Sequence, residues 1–131
     1  MDLIVDTSVL IAVATNEPEK ARLIEHTDGA TLLAPASVHW EIGNAFSAML
    51  KRRRITLNQA RIALAAVESV PVRWMHVPLA QALELSDRLE IYAYDAYVIA
   101  AALNQSCALL TLDRGMLRSA KAVGVNVLEV T

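Results

Sequence analysis

Four acidic residues, Asp6, Glu41, Asp95 and Asp113, stand in the sequence where metal ligands would be expected. Asp6 ends a short apolar run near the N-terminus, and Asp113 ends a second apolar run near the C-terminus. The carboxyl ends of parallel strands form the edge at which open α/β proteins bind ligands. Carboxylates that meet there raise each other's pKa by repulsion, so a hard cation is their natural partner. The four residues therefore predict a shared metal site.

The other two acids lie on predicted helices. Asp95 opens a helix-like stretch, and Glu41 belongs to a small, polar helical stripe made of Ser37, Glu41, Asn44 and Ala48. Each acid also has a simpler interpretation, because an Asp at a helix start can be an N-cap and a helical Glu can be solvated. Caps would rarely fall at two strand ends and also leave an acid on such a stripe. The joint pattern favours the shared site.

The expected cation is Mg²⁺ or Mn²⁺, because both ions take carboxylate and water oxygens. The three histidines, His26, His39 and His76, share no ligand spacing, which argues against zinc. A magnesium site with open water positions suits phosphodiester hydrolysis: the metal lowers the pKa of a bound water and neutralises charge that develops on the phosphate. No Ser-His pair or reactive Cys is positioned for covalent catalysis.

Several hydroxyl and amide side chains accompany the acids. Thr7, Ser8 and Thr111 lie beside the strand-end acids, where they could orient ligands or cap helices. Asn44 follows Glu41 by nearly one helical turn and could hold its carboxylate, or it could be an ordinary surface residue. We predict that these four residues support the acidic quartet.

A basic run, Lys51 to Arg54, breaks an otherwise even charge distribution. It could be a solvated helix end that complements the helix dipole, or Arg52, Arg53 and Arg54 could contact an RNA backbone. Arg114, which follows Asp113, is a further candidate for phosphate contact. The tryptophans Trp40 and Trp74 are predicted to pack in the fold rather than to stack on bases.

Composition limits the class of protein. The chain has 131 residues, the size of one domain, and it is 55% hydrophobic with a net charge of −2. One cysteine, Cys107, rules out an internal disulfide and suits a reducing compartment. No signal peptide is visible, and the longest uncharged stretch, 96–112, contains Asn104, Gln105 and Ser106. We therefore expect a cytoplasmic protein that does not enter the membrane.

Predicted strands alternate with predicted helices along the chain. We predict strands at residues 3–6, 31–34, 72–77, 107–112 and 125–130. We predict helices at residues 9–14, 18–26, 37–53, 57–70, 78–89, 94–105 and 114–123. Thr7 and Ser8 offer N-cap hydroxyls to the first helix, and Ser37 is predicted to cap the third. This alternation indicates an α/β protein with a parallel sheet covered on both faces.

Four segments, taken in order, resemble the motifs of a PIN-domain ribonuclease, specifically a VapC-type toxin of a toxin–antitoxin pair. Residues 4–8 resemble the opening motif of that family, and residues 35–44 resemble its Glu-x-x-Asn helix. Residues 94–102 and 110–113 resemble its third and fourth motifs. The resemblance covers the whole chain. One departure is Gln105-Ser106 before the fourth strand, where Gly is common.

The resemblance implies a three-layer α/β/α sandwich with a mostly parallel five-stranded sheet, and a Mg²⁺- or Mn²⁺-dependent endoribonuclease site. It implies that Asp6, Glu41, Asp95 and Asp113 form the acidic quartet. Its implied partners are an RNA substrate, a second copy of the chain in a homodimer, and a cognate antitoxin that blocks the site.

Two other enzyme classes that place Asp after the first strand fit poorly. Haloacid-dehalogenase-type phosphatases need Asp-x-Asp, whereas this chain has Asp6-Thr7-Ser8. Receiver domains need a lysine at a later strand end, and Lys121 falls within a predicted helix. A non-catalytic PIN-like interaction module is the remaining alternative, and metal binding would distinguish it from an enzyme.

Overall fold

Five strands and seven helices alternate along residues 1–130, the part of the chain that the computed structural model describes. In chain order they are β1 (Asp2–Val5), α1 (Thr7–Ala14), α2 (Lys20–Thr27), β2 (Thr31–Pro35), α3 (Ser37–Lys51), α4 (Leu57–Ser69), β3 (Val72–Met75), α5 (Leu79–Leu89), α6 (Ala93–Gln105), β4 (Ala108–Leu110), α7 (Arg114–Ala122) and β5 (Val127–Leu128).

All strands are parallel, in the order β3-β2-β1-β4-β5. The chain winds outward from β1 to β2 and β3, and then returns to the other side of β1 for β4 and β5. Because such crossovers are right-handed, this reversal places helices on both faces of the sheet. The predicted α/β/α fold with a five-stranded parallel sheet is confirmed.

Strand β1 lies at the centre of the sheet. Leu3, Ile4 and Val5 are completely buried, as expected for a strand that is covered on both faces. Val5 pairs with Leu110 of β4, so these two strands end side by side. The direction of winding reverses between β1 and β4, and the crevice beyond the strand ends at such a point is the usual ligand site of this architecture. Residues that follow β1 and β4 therefore meet at one place.

Helix α6 is the most deeply buried helix among the described residues. It is rich in alanine, and the side chains of residues 98–102 are at most 1% exposed. Small side chains let the helix approach β1 and β2 closely, and α6 also contacts α3, α5 and α7. Asp95, in its first turn, is thus carried by a rigid element.

The predicted caps of two helices are wrong. Helix α1 begins at Thr7, and its cap is Asp6, which has extended backbone angles and accepts a hydrogen bond from the Val9 amide. Helix α3 has Ala36 at its N-cap, already in helical geometry, so Ser37 lies inside the helix. The Ser37 hydroxyl is buried and has no hydrogen-bond partner within residues 1–130. Short polar side chains near a helix start compete for one cap, and the backbone conformation decides which of them caps it.

Three strands are shorter in the structure than predicted from the sequence. β3 ends at Met75, β4 covers only Ala108–Leu110, and β5 covers only Val127–Leu128. β3 and β5 are the edges of the sheet and have a pairing partner on one side only. The apolar pattern continues beyond each strand because the following residues still pack against the core.

The packing role predicted for Trp40 and Trp74 is wrong. Their side chains are 66% and 45% exposed, and both rings contact the ring of His39 edge-on. Trp74 lies on the edge strand β3, whose burial pattern leaves it open to solvent. Among the described helices, none is long and apolar enough to cross a membrane.

Candidate active site

Asp6 is the buried anchor of the candidate site. It follows β1 directly, its side chain is only 5% exposed, and it receives three hydrogen bonds. Oδ1 accepts from the Ser8 hydroxyl at 2.6 Å and from the Val9 amide at 3.3 Å, and Oδ2 accepts from the Thr111 hydroxyl. An ionised carboxylate offers about four acceptor positions. One position therefore stays available to a cation or a water.

The ends of β1 and β4 are joined through two hydroxyl groups. The Ser8 hydroxyl accepts from the Leu112 amide at 3.0 Å, and the Thr111 hydroxyl accepts from the Asp113 amide at 3.0 Å. Thr111 is 1% exposed. The bond from Leu112 to Ser8, together with the bond from the Thr111 hydroxyl to Asp6, holds the segment that carries Asp113 against the segment that carries Asp6. Ser8 and Thr111, which were predicted to support the quartet, thus both contact Asp6.

Asp113 is the N-cap of α7. Its Oδ1 accepts from the Met116 amide at 3.1 Å, while its side chain remains exposed. The capping interpretation of Asp6 and of Asp113 is therefore correct, and it does not exclude a shared site. In both residues the cap occupies part of the carboxylate and leaves acceptor capacity.

The four carboxylates are close enough to repel each other. Burial, followed by repulsion from Asp95 and Asp6, raises the pKa of Glu41 to about 7. Burial and repulsion from Asp113 raise the pKa of Asp95. Burial is also the main cause of the raised pKa of Asp6, with a smaller repulsion from Asp113, and the hydrogen bonds that Asp6 accepts oppose the shift. The four predicted acids thus interact electrostatically in pairs.

This group of acids has no compensating cation within residues 1–130. None of the four carboxylates forms an ion pair with a described residue, and the ion pair found within residues 1–130 joins Lys121 to Glu129 elsewhere. The Thr7 hydroxyl lies near enough to Glu41 to lower its pKa somewhat, but it is buried and does not reach a full hydrogen bond. Uncompensated charge of this kind favours a bound cation.

The chemistry of the donor set fits a hard divalent cation, because all of the donors are oxygens. In residues 1–130, no three His, Cys, Asp or Glu side chains are close enough together to hold an ion as they stand. Neither Glu41 nor Asp95 is fixed by a full hydrogen bond to a described residue, in contrast to Asp6.

Asn44 and the cluster Arg52–Arg54, which were also predicted to belong to the site, make no hydrogen bond or ion pair with the acids. The Asn44 side chain is exposed and makes no hydrogen bond with a described residue, although its backbone carbonyl accepts from Ser47. The cluster Arg52–Arg54 follows the end of α3. Ten residues separate Glu41 from Lys51, which is about 15 Å along a helix axis. The cluster is therefore not part of the immediate surroundings of the quartet.

Arg114 lies beside the site, together with two basic residues that were not predicted to bind RNA. Arg114, Arg118 and Lys121 line one cavity of about 510 Å³, whose wall includes Thr111. Their spacing of four and then three residues places them on one face of α7. That spacing is visible in the sequence and could have indicated a basic helix face.

Comparison with known proteins identifies the family. The PIN-domain model matches residues 3–122. A search of curated proteins found no match to this chain. Among solved structures, PAE2754 from Pyrobaculum aerophilum is similar with a TM-score of 0.69 and 25% identity, over 97% of this chain and 92% of that chain.

Two further structures share the fold. One is VapBC2 from Rickettsia felis bound to a DNA fragment from its promoter, with a TM-score of 0.71 and 14% identity over 98% of each chain. The other is VapC20 from Mycobacterium tuberculosis, described as a toxin that cleaves the sarcin-ricin loop, with a TM-score of 0.63 and 19% identity over 94% of this chain and 95% of that chain. The fold, the order of the strands and the family match together show that this chain belongs to the PIN-domain family.

Proposed function

We propose that the protein is a metal-dependent endoribonuclease and the toxin of a toxin–antitoxin pair. The observation that carries the proposal is the group of four mutually repelling carboxylates, without a compensating cation, beside the ends of β1 and β4. Membership of the PIN-domain family supports nuclease chemistry, and the fold shared with VapC20 and VapBC2 supports the role as a toxin.

Asp6, Glu41, Asp95 and Asp113 would hold Mg²⁺ or Mn²⁺, and Asp6 would be the least mobile ligand because three hydrogen bonds orient it. A bound divalent ion supplies an activated water and neutralises charge that develops on the phosphate. The hydroxyls of Ser8 and Thr111 hold Asp6 in place. Burial and the neighbouring carboxylates raise the pKa of Glu41 when no cation is present, and a bound divalent ion would stabilise its charged form.

An exposed apolar face is a candidate interface for a homodimer. Trp40, Leu79 and Tyr94 line a cavity of about 400 Å³ and are each more than half exposed. Leu83, one turn beyond Leu79 on α5, is also exposed. Exposed apolar patches of this kind are typical of protein interfaces. We propose that a second copy of the chain binds this face, and that a cognate antitoxin is a further partner. Light scattering on wild-type protein and on Leu83→Asp would measure the dimer.

The experiment for the main proposal compares purified wild-type protein with two Asp-to-Asn variants. Asp95→Asn keeps the size of the side chain but removes a charge from the quartet. Asp87→Asn makes the same change at an exposed site on α5 and serves as the control. With Mn²⁺ or Mg²⁺, we expect wild-type protein and Asp87→Asn to cleave RNA and Asp95→Asn to lose at least about a hundredfold in rate.

The same variants test the role as a toxin. Expression without an antitoxin should arrest growth for the wild type and for Asp87→Asn, and Asp95→Asn at equal level should not. Full toxicity of Asp95→Asn would contradict its role as a metal ligand. Absence of both cleavage and Mg²⁺ binding in the wild type would instead support the non-catalytic interaction module.

A further inference from the structure

The outer face of α7 forms a basic groove beside the acidic site, and it is not explained by the quartet. The groove is the cavity of about 510 Å³ lined by Arg114, Arg118 and Lys121, with Glu19, Glu129 and Thr111 also in its wall. Lys121 is paired with Glu129 at 2.5 Å. Arg114 and Arg118 are exposed and form no ion pair with a described residue. Neither guanidinium is therefore held by a salt bridge within residues 1–130, although Glu19 and Glu129 share the wall of the groove.

The groove is continuous with the candidate active site at two points. Thr111 lines the groove, and its hydroxyl donates to Asp6. At Gly115, the position where a Cβ would stand lies 3.2 Å from Oδ1 of Asp113 and 3.8 Å from Nη2 of Arg118. The Asp113 carboxylate and the Arg118 guanidinium therefore both approach Gly115, and a side chain at this position would be crowded by the carboxylate. An anion in the groove would be next to the quartet.

The spacing of the two arginines suits successive phosphates. Arg114 and Arg118 are four residues apart on α7, which is about 6 Å along the helix axis. That rise is comparable to the separation of neighbouring phosphates in a nucleic-acid strand. Guanidinium groups bind phosphates through paired hydrogen bonds.

Resting on the proposed function, we propose that this groove binds the RNA backbone next to the phosphodiester that is cleaved, through Arg114 and Arg118. The groove offsets the repulsion between the acidic quartet and the polyanionic substrate by giving the neighbouring phosphates a site of opposite charge. It also places the track of the RNA along α7, beside the quartet, whereas the cluster Arg52–Arg54 lies at the far end of α3.

Binding is tested with a fluorescently labelled single-stranded oligoribonucleotide in EDTA, which prevents metal-dependent cleavage. Anisotropy titrations from about 50 to about 200 mM KCl compare wild type with Arg118→Gln and with the double variant Arg114→Gln/Arg118→Gln. Arg88→Gln on α5 is the control, because it removes the same charge from an exposed residue outside the groove. Thermal melts verify that all the variants are folded.

We expect Arg118→Gln to weaken binding by roughly tenfold and the double variant to weaken it further. The slope of log affinity against log salt should become shallower by about 0.7 for each lost phosphate contact. Arg88→Gln should match the wild type in affinity and slope. Equal effects of Arg88→Gln and Arg118→Gln, or no RNA binding by the wild type, would overturn the proposal.

A cleavage assay with Mn²⁺ separates this proposal from the proposed function. One outcome is that the wild type cleaves RNA and the double variant binds RNA with unchanged affinity and unchanged salt dependence. The groove would then not be an RNA site, and an acidic protein partner would be the remaining ligand to test. If the double variant loses RNA binding and the wild type does not cleave RNA, the groove is a nucleic-acid site and the proposal of nuclease activity is wrong.

Discussion

At the scale of single residues, Asp6 and Glu41 show two ways to hold a buried carboxylate. Asp6 accepts three hydrogen bonds, which oppose the effect of its burial. Glu41 has only the nearby Thr7 hydroxyl and faces two other carboxylates, so its charged form is poorly stabilised. The charged form of Glu41 therefore opposes folding when no metal is bound.

We predict that the metal-free protein loses stability as pH rises from about 4.5 through about 7. The pKa of Glu41 is raised in the folded state above its unfolded value of 4.5, so the folded state holds the extra proton in this range. The free energy of unfolding must then decrease with increasing pH. The raised pKa values of Asp6 and Asp95 act in the same direction. Urea denaturation in EDTA at a series of pH values would measure the decrease.

Glu41→Gln tests the assignment of this pH dependence to one residue. Glutamine keeps the shape of the side chain and cannot titrate, so the upper part of the decrease, near pH 7, should flatten. A wild-type stability that stays constant or rises across this range would contradict the prediction.

At the scale of elements, α6 positions Asp95 by close packing. Its alanines from Ala96 onward are buried, the helix contacts β1 and β2, and Ala101 is completely buried. Because these buried side chains are short, substitution by larger residues is expected to destabilise the helix packing. Precise placement of a site residue thus depends on side chains that carry no chemistry.

We predict that Ala101→Leu lowers the free energy of unfolding by about 1–3 kcal/mol, because three added carbons must displace neighbours in a close-packed core. Ala65→Leu, at an exposed position on α4, is the matched control and should change stability by less than about 0.5 kcal/mol. Chemical denaturation measures both variants. Equal small effects would mean that α6 packs more loosely than the structure shows.

At the scale of the whole molecule, the candidate site couples metal binding to folding. The quartet joins residues from the ends of β1 and β4 and from α3 and α6, so it exists only when the sheet and both helices are assembled. Any cation that binds there binds the folded state alone. Its binding free energy then adds to the stability of the entire chain.

We predict that Mg²⁺ at a hundredfold excess over its dissociation constant stabilises the protein by about 2.7 kcal/mol. For a chain of this length the melting temperature should rise by about 10 °C. Glu41→Gln should melt at a higher temperature than the wild type in EDTA, because one repelling charge is gone. It should also show a smaller shift with Mg²⁺, because one ligand is gone.

Calorimetry with EDTA and with millimolar Mg²⁺ would measure both quantities. Glu84→Gln, at an exposed position on α5, is the control and should match the wild type in both solutions. A Glu41→Gln variant that behaves like this control would place Glu41 outside the metal site.

The sequence alone predicted the class of fold, which is confirmed, and it singled out the four acids as candidates, because both depend on local patterns. Alternating apolar runs predict strands and helices, and acids at the ends of such runs are conspicuous. It did not determine the caps at Asp6 and Ala36 or the exposure of Trp40 and Trp74, since these depend on backbone angles and on which strand lies at the edge. Only the tertiary structure showed the strand order, which brings Asp113 and the basic face of α7 close to Asp6. The physical reason is that local periodicity carries no information about contacts between residues more than a hundred positions apart.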